Sequence, residues 1–167
     1  MFGMLRTIKK QLHILILVVS LVSSILAQTK EARKIDEFGS IPCEELRARL
    51  DSFLSELQNN PQTKGFVIVY EGKYFYPDFN KYPPEKIKTY LPAFGEAQLR
   101  TQAFVNHFKW RNFPSDRYLF ISGGYREKHT VEFWIVPNGA KPLRPSPTLD
   151  KMKFRKGKPE RITCEEG

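Results

Sequence analysis

Five consecutive residues, Phe66-Val67-Ile68-Val69-Tyr70, are β-branched, aliphatic or aromatic without a polar residue between them, and Gly65 opens the run. A strand with one wet face alternates apolar and polar side chains; a run without alternation belongs to a strand covered on both faces. Whatever else this chain does, it has to bury that strand at the centre of a sheet.

The segment before it supplies one cover. From Pro42 to Asn60 the spacing predicts a helix. Pro42 stands at an early position, Glu44 and Glu45 lie in the first turn near the positive end of the helix dipole, and Asn59-Asn60-Pro61 form the stop. Leu46, Leu50, Phe53, Leu54 and Leu57 recur at helical spacing and make one apolar stripe, whereas Arg47, Arg49 and Glu56 fall largely off it. A second helix is expected over Glu96 to Arg111, with Ala97, Thr101, Phe104, Val105 and Phe108 on its inner face and Arg100 and Asn106 away from it. A short strand at Lys34 to Phe38 is expected ahead of the first helix. Tyr118 to Ile121 and Thr130 to Val136 read as two further strands, joined as a hairpin through a turn at Gly123-Gly124.

Residues 72–94 are rich in Tyr, Phe, Pro and Lys with no sustained period, and so read as a long aromatic loop. Beyond Pro137-Asn138-Gly139 periodicity disappears, and residues 141–167 read as an extended or disordered basic tail. The expected class is α+β: a two-layer sandwich with two helices on one face of a mixed sheet of three to four strands.

The chain opens with Arg6, Lys9 and Lys10 ahead of an apolar stretch from Leu12 to Leu26 that ends at Ala27. A positive region, an apolar region and a small residue at the cut make a secretory signal. The stretch is broken by Ser20, Ser23 and Ser24 and falls short of the roughly 20 residues that cross a hydrocarbon core, so a cleaved signal is expected rather than an anchor. The expected organisation is a signal peptide over 1–27, a linker over 28–34, one α/β domain over 35–140 and the tail over 141–167. The formal net charge is +9, and outside the signal the surplus is concentrated in the tail.

An exported chain meets an oxidising compartment, where its two cysteines, Cys43 and Cys164, are expected to form a disulfide that pins the tail to the start of the first helix. Closing a loop of about 120 residues stabilises by several kcal/mol in the chain-entropy model. The alternatives are two free thiols or a reactive Cys43, and neither a nearby histidine in sequence nor a CxxC supports reactivity.

The layout resembles the OmpA-like, peptidoglycan-associated C-terminal domain, a β-α-β-α-β module with a further strand here. That family opens a helix with LSxxRAxxV; this chain has Glu96-Ala97-Gln98-Leu99-Arg100-Thr101-Gln102-Ala103-Phe104-Val105, followed by Ile121-Ser122-Gly123. More closely, the chain is similar to small exported bacterial proteins carrying a degenerate domain of this type. The matching residues are Glu37-Phe38-Gly39, Cys43, Arg49-Leu50-Asp51, Lys64-Gly65, Glu96-Ala97, Gly123-Gly124-Tyr125-Arg126, Glu132, Trp134 and Pro137. The resemblance implies that Arg100 stands where the family's arginine holds the carboxylate of a peptide stem. The family's partner aspartate is missing or moved: Glu71-Gly72-Lys73 occupies its loop, and Asp78 is the nearest acid.

Arg100 is therefore a candidate ligand-binding cation, because a guanidinium holds a carboxylate with two parallel hydrogen bonds. The plainer alternative is an ion pair with Glu96, four residues earlier. Arg126, read as part of the turn after Gly124, is a second candidate cation, and Asp78 a candidate acid. The aromatic residues of 72–94 could stack on sugar rings or pack beneath their own loop. The run Lys151 to Lys158 could adhere to anionic polymers or lipid headgroups, or serve as a solubilising end.

The chain has no HExxH, phosphate-binding loop or GxSxG. His107 and His129 have no motif around them, and Glu132, in an alternating strand, reads as solvent-facing. No enzyme activity, metal, cofactor or nucleic-acid partner is expected, nor a stable membrane span after cleavage. The expected function is that of a non-enzymatic periplasmic or secreted envelope protein with weak peptidoglycan contact. The alternative is an envelope interaction or assembly module using residues 72–94 and the tail.

The disulfide can be tested directly. Thiol titration of the exported, denatured protein without reductant is expected to find no free thiol, and two reactive thiols would establish the alternative.

Overall fold

The computed structural model describes residues 31–77 and 87–159. All the described elements lie in one compact unit, Glu31–Gly167. Among the described residues, two helices and a five-stranded open sheet make an α+β fold. In chain order the elements are β1 (Arg33–Phe38), α1 (Cys43–Asn59), β2 (Thr63–Pro77), β3 (Ile87–Tyr90), α2 (Glu96–Trp110), a single 3-10 turn (Ser115–Arg117), β4 (Tyr118–Lys128) and β5 (Thr130–Pro137).

The first helix forms as its stripe predicts. Pro42 precedes it with extended backbone, its carbonyl accepting from the Leu46 N–H at 2.9 Å, and Leu46, Leu50, Phe53, Leu54 and Leu57 are all buried. At the other end, Arg117 donates to the carbonyls of Leu57 (2.7 Å), Asn60 (3.2 Å) and Thr63 (3.2 Å). A cation from the 3-10 turn thus satisfies acceptors that the helix end leaves open.

The core between helices and sheet is largely phenylalanine. Phe53 of α1 stacks on Phe133 of β5 at 4.5 Å, Phe38 of β1 meets Phe133 edge-on at 5.2 Å, and Phe108 of α2 packs on Tyr118 at 4.8 Å and Phe120 at 5.9 Å. Val67 and Val69 of β2 join this core, as do Val131 and Ile135 of β5. Ile68 and Tyr70, which alternate with them, are also buried, as the unbroken apolar run requires.

The sheet order corrects two sequence-based expectations. Residues 118–121 and 130–136 do not form a hairpin. β2 lies between their strands, pairing with β4 in parallel (Gly65 opposite Tyr118, Val69 opposite Ser122) and with β5 antiparallel (Val67 opposite Phe133, Tyr70 opposite Thr130). β1 extends the sheet beyond β5, antiparallel to it. Gly123 and Gly124 lie inside β4 rather than in a turn. In the supposed loop of 72–94, β2 runs on to Pro77 and pairs with the short β3, Tyr74 opposite Tyr90, so the sheet has five strands rather than three or four. Residues 78–86 of that segment lie outside the described residues.

Because β4 and β5 flank β2, their link has to cross it. Lys128 lies opposite Lys73 and Thr130 opposite Tyr70, so the crossing passes over residues 71–72. His129 is the crossing residue. Its N–H donates to the Lys73 carbonyl at 3.0 Å and its Nδ1 lies 3.0 Å from the Tyr70 carbonyl. Gly72 makes room: a Cβ there would lie 2.1 Å from the Lys128 carbonyl carbon and 2.2 Å from the His129 nitrogen.

The tail is extended but not loose through its described part. The N–H groups of Thr148 and Leu149 donate to the Tyr125 carbonyl of β4, and the Arg155 N–H donates to the Pro92 carbonyl at 2.9 Å. Among the described residues no helix is long and apolar enough to cross a membrane.

In an ordinary strand Gly→Ala is stabilising by roughly 0.5–1 kcal/mol. At Gly72 the sign should reverse, because the obstructing atoms are backbone: Gly72→Ala is expected to destabilise by about 3 kcal/mol or more. Gly65→Ala meets only the Phe53 and Leu57 side chains, at 2.5 and 2.7 Å. It should be milder, at about 1–3 kcal/mol. Urea unfolding of residues 31–167 checks both, and a Gly72→Ala midpoint at the wild-type value would refute the crossing.

Candidate functional site

α2 begins against the far end of β2, and the meeting is polar. Glu71, Tyr74, Glu96, Arg100 and His129 are all buried there. Glu71 accepts from the Ala97 N–H at 3.1 Å and from the Tyr74 hydroxyl at 3.3 Å. Glu96 accepts from the Ala93 N–H at 2.8 Å, from Arg100 Nη2 at 3.2 Å and from Arg155 Nη2 at 3.0 Å. The open N–H groups and positive dipole end of a helix start favour an anion, and here the chain's own carboxylates fill that role.

Arg100 faces inward at 8% exposure, against the expectation that it points away from the buried face of α2. Its guanidinium lies 3.8 Å from the centre of the Tyr74 ring, whose centre is 4.7 Å from that of His129. Burial raises the Glu71 carboxyl above the usual range, with the Ala97 and Tyr74 hydrogen bonds offsetting only part of the effect. Burial likewise pushes the Tyr74 hydroxyl far up. Burial, with Arg100 second, pushes His129 down to about 3. His129 is therefore a neutral imidazole whose Nδ1–H donates to the Tyr70 carbonyl.

Arg126 belongs to a separate cluster. Its guanidinium stacks on the Tyr70 ring at 3.5 Å, and its Nη2 donates to Glu132 at 2.9 Å and to the Ser146 hydroxyl at 2.8 Å. Glu132 is 3% exposed, which corrects the expectation of a solvent-facing side chain. Its carboxylate also accepts from Trp134 Nε1 at 2.9 Å and from the Tyr70 hydroxyl at 3.2 Å. Burial works against its ionisation, but the Trp134 and Arg126 hydrogen bonds outweigh it and hold the carboxyl below the usual range.

Arg100 and Arg126 are thus not brought together, having different partners; Asp78 lies outside the described residues, as does Cys164 and with it the expected disulfide. The remaining histidine and acids of note do not converge either. His107 is held at 2.8 Å by Asp51, which Arg111 shares, while Glu127 is exposed near Lys73. A cleft of roughly 560 Å³ between β1 and α1 has its charged lining paired, Arg33 with Glu56 and Arg49 with Asp36 across it, and Arg49 with Glu45 along α1. Among the described residues no cluster of His, Cys, Asp or Glu could hold a metal.

What the structure does bring together is the tail and the approach to α2. Arg155, fastened to Glu96 and Pro92, carries Phe154 onto Phe94 at 5.5 Å and Tyr125 at 6.0 Å. Phe94 remains 77% exposed and Leu91 36%. Lys151, Lys153, Lys156 and Lys158, on the same stretch of chain as Phe154 and Arg155, are exposed, and no acid occurs between Lys151 and Pro159. Sequence reasoning marked the basic run and the aromatic segment 72–94 that ends at Phe94, but not the Glu96–Arg155 latch, since no local pattern links residues 59 positions apart.

The buried histidine predicts an acid response. A His whose folded value is depressed binds its proton in the unfolded state first, so its stabilisation is full above about pH 6.5 and falls as pH drops towards 3, by at most about 1.4 kcal/mol per unit. Glu71, raised by burial, acts in the opposite direction as pH falls towards 4.5. His129→Asn keeps a donor for the Tyr70 carbonyl but cannot titrate. It should remove the loss of stability between pH 6.5 and 5 that His129 causes. Urea midpoints across that range check this, and an unchanged wild-type slope in the variant would exclude His129 as the cause.

No family model matches the chain, and no curated protein or solved structure matches it either.

Proposed function

We propose that this protein is a non-enzymatic binding module of the cell envelope, exported through its signal sequence and cleaved after Ala27. Its working surface is the ridge built from Leu91, Phe94, Phe154 and the lysines of 151–158. One observation carries this: the basic run is not a loose end but is latched by Arg155 to Glu96, with Phe154, the residue before Arg155, against the exposed Phe94 ring. Exposed apolar surface joined to a basic run without acids is the composition of a contact site for an anionic partner.

The OmpA-like relationship remains part of the proposal as to origin, supported by the order strand, helix, strand, helix, strand, strand, with β3 as an addition. Peptidoglycan contact through Arg100 has less behind it. The carboxylate that a peptide stem would present to Arg100 is already supplied by Glu96, and removing one partner of such a buried pair typically costs about 3–5 kcal/mol. Arg100→Ala should therefore act first on folding.

The test is co-sedimentation of residues 31–167 with washed bacterial envelopes at low and moderate salt. Retention is expected to be lost when Lys151, Lys153, Lys156 and Lys158 are all changed to Gln, in a variant whose melting temperature is unchanged. Retention that survives this change but falls with a folded Arg100→Lys variant would instead favour the peptidoglycan site. No retention of the wild type would reject an envelope-binding module.

A further inference from the structure

We infer that the partner of the ridge is an anionic lipid surface, with Phe94 and Leu91 entering the headgroup boundary and the lysines meeting the phosphates. This rests on the proposed binding surface and names its ligand.

The exposed residues decide between partner classes. Phe94 and Leu91 stand out from the turn before α2 with no hydrogen-bonding group, which gives a bilayer boundary something to bury and a sugar chain nothing to bond. Lys151, Lys153, Lys156 and Lys158 are exposed, while Phe154 and Arg155 between them are partly buried against the body. The latch therefore turns apolar and guanidinium groups inward and ammonium groups outward. Ammonium groups on flexible stems attract charge without fixed geometry, which suits a fluid array of phosphates rather than one oriented ligand.

The magnitudes are sufficient. Each lysine brought to an anionic leaflet gains roughly fivefold in partition, and an apolar ring buried at the interface adds to this without depending on salt. Neither contribution alone anchors a protein firmly, whereas an apolar contact joined to a polybasic patch can. Reversible, salt-sensitive association is expected.

The experiment is flotation of residues 31–167, which excludes the apolar leader, with vesicles of phosphatidylcholine alone or with about a third phosphatidylglycerol, at about 0.05 and 0.5 M salt. Binding to the anionic vesicles alone is expected. It should weaken at high salt and fall about tenfold or more in Phe94→Ser and in the four-lysine Gln variant, while Leu119→Ser, at another exposed apolar site on β4, binds as wild type. Circular dichroism confirms that each variant is folded. Loss of binding with the lysines but none with Phe94→Ser would overturn the inference, reducing the contact to charge alone. Retention on whole envelopes and on lipid-free sacculi, with none on vesicles, would also overturn it while leaving the binding-module proposal standing. No retention on envelopes or vesicles would remove both.

Discussion

The crossing of the β4–β5 link over β2 is the constraint on which the rest of the structure depends. Two strands adjacent in sequence lie on opposite edges of a third, so one residue has to span the width that β2 occupies. His129 does so with a hydrogen bond on each side of Gly72, and the absence of a side chain at Gly72 leaves the space. The ladder shifts register at two points in residues 69–73, where the crossing occurs. Such irregularities re-aim side chains. Here Glu71 reaches the start of α2, and Tyr74 enters the space between Arg100 and His129.

Charge then organises what hydrophobic burial leaves unspecified. Two buried carboxylates, Glu96 and Glu132, each accept from an arginine, and each also ties in a distant part of the chain. Glu96 holds Arg155, and Arg126 links Glu132 to Ser146. A buried carboxylate is costly unless it is fully hydrogen-bonded, so every additional donor has a strong tendency to remain in place. The tail segment contributes such donors and is held against the body without forming helix or strand.

This places the basic run at one site. A free polybasic end distributes its charge over a large volume, whereas one fixed beside an exposed phenylalanine presents charge and apolar surface together. The half-buried Glu96–Arg155 pair and the exposed lysines share one stretch of chain, so the arginine limits where the lysines can lie.

The helices and the first and last strands were legible in the sequence because their signals are local. A stripe at spacing 3–4, a proline start and a β-branched run depend only on neighbouring residues, and Leu46 to Leu57 lie where that pattern puts them. The i to i+4 pair of Glu96 and Arg100 was legible for the same reason. The insertion of β2 between β4 and β5 was not: a Gly-Gly pair inside a strand and the short link of a hairpin look alike until the third strand is in place. Glu132 reads as solvent-facing by alternation alone, and only the arrival of Arg126, Trp134 and the Tyr70 hydroxyl makes its burial favourable. The sequence by itself determined which segments are helix or strand and where the cations are concentrated. Tertiary structure decided which polar groups are buried and what surface the cations share, because those depend on contacts between residues far apart in the chain.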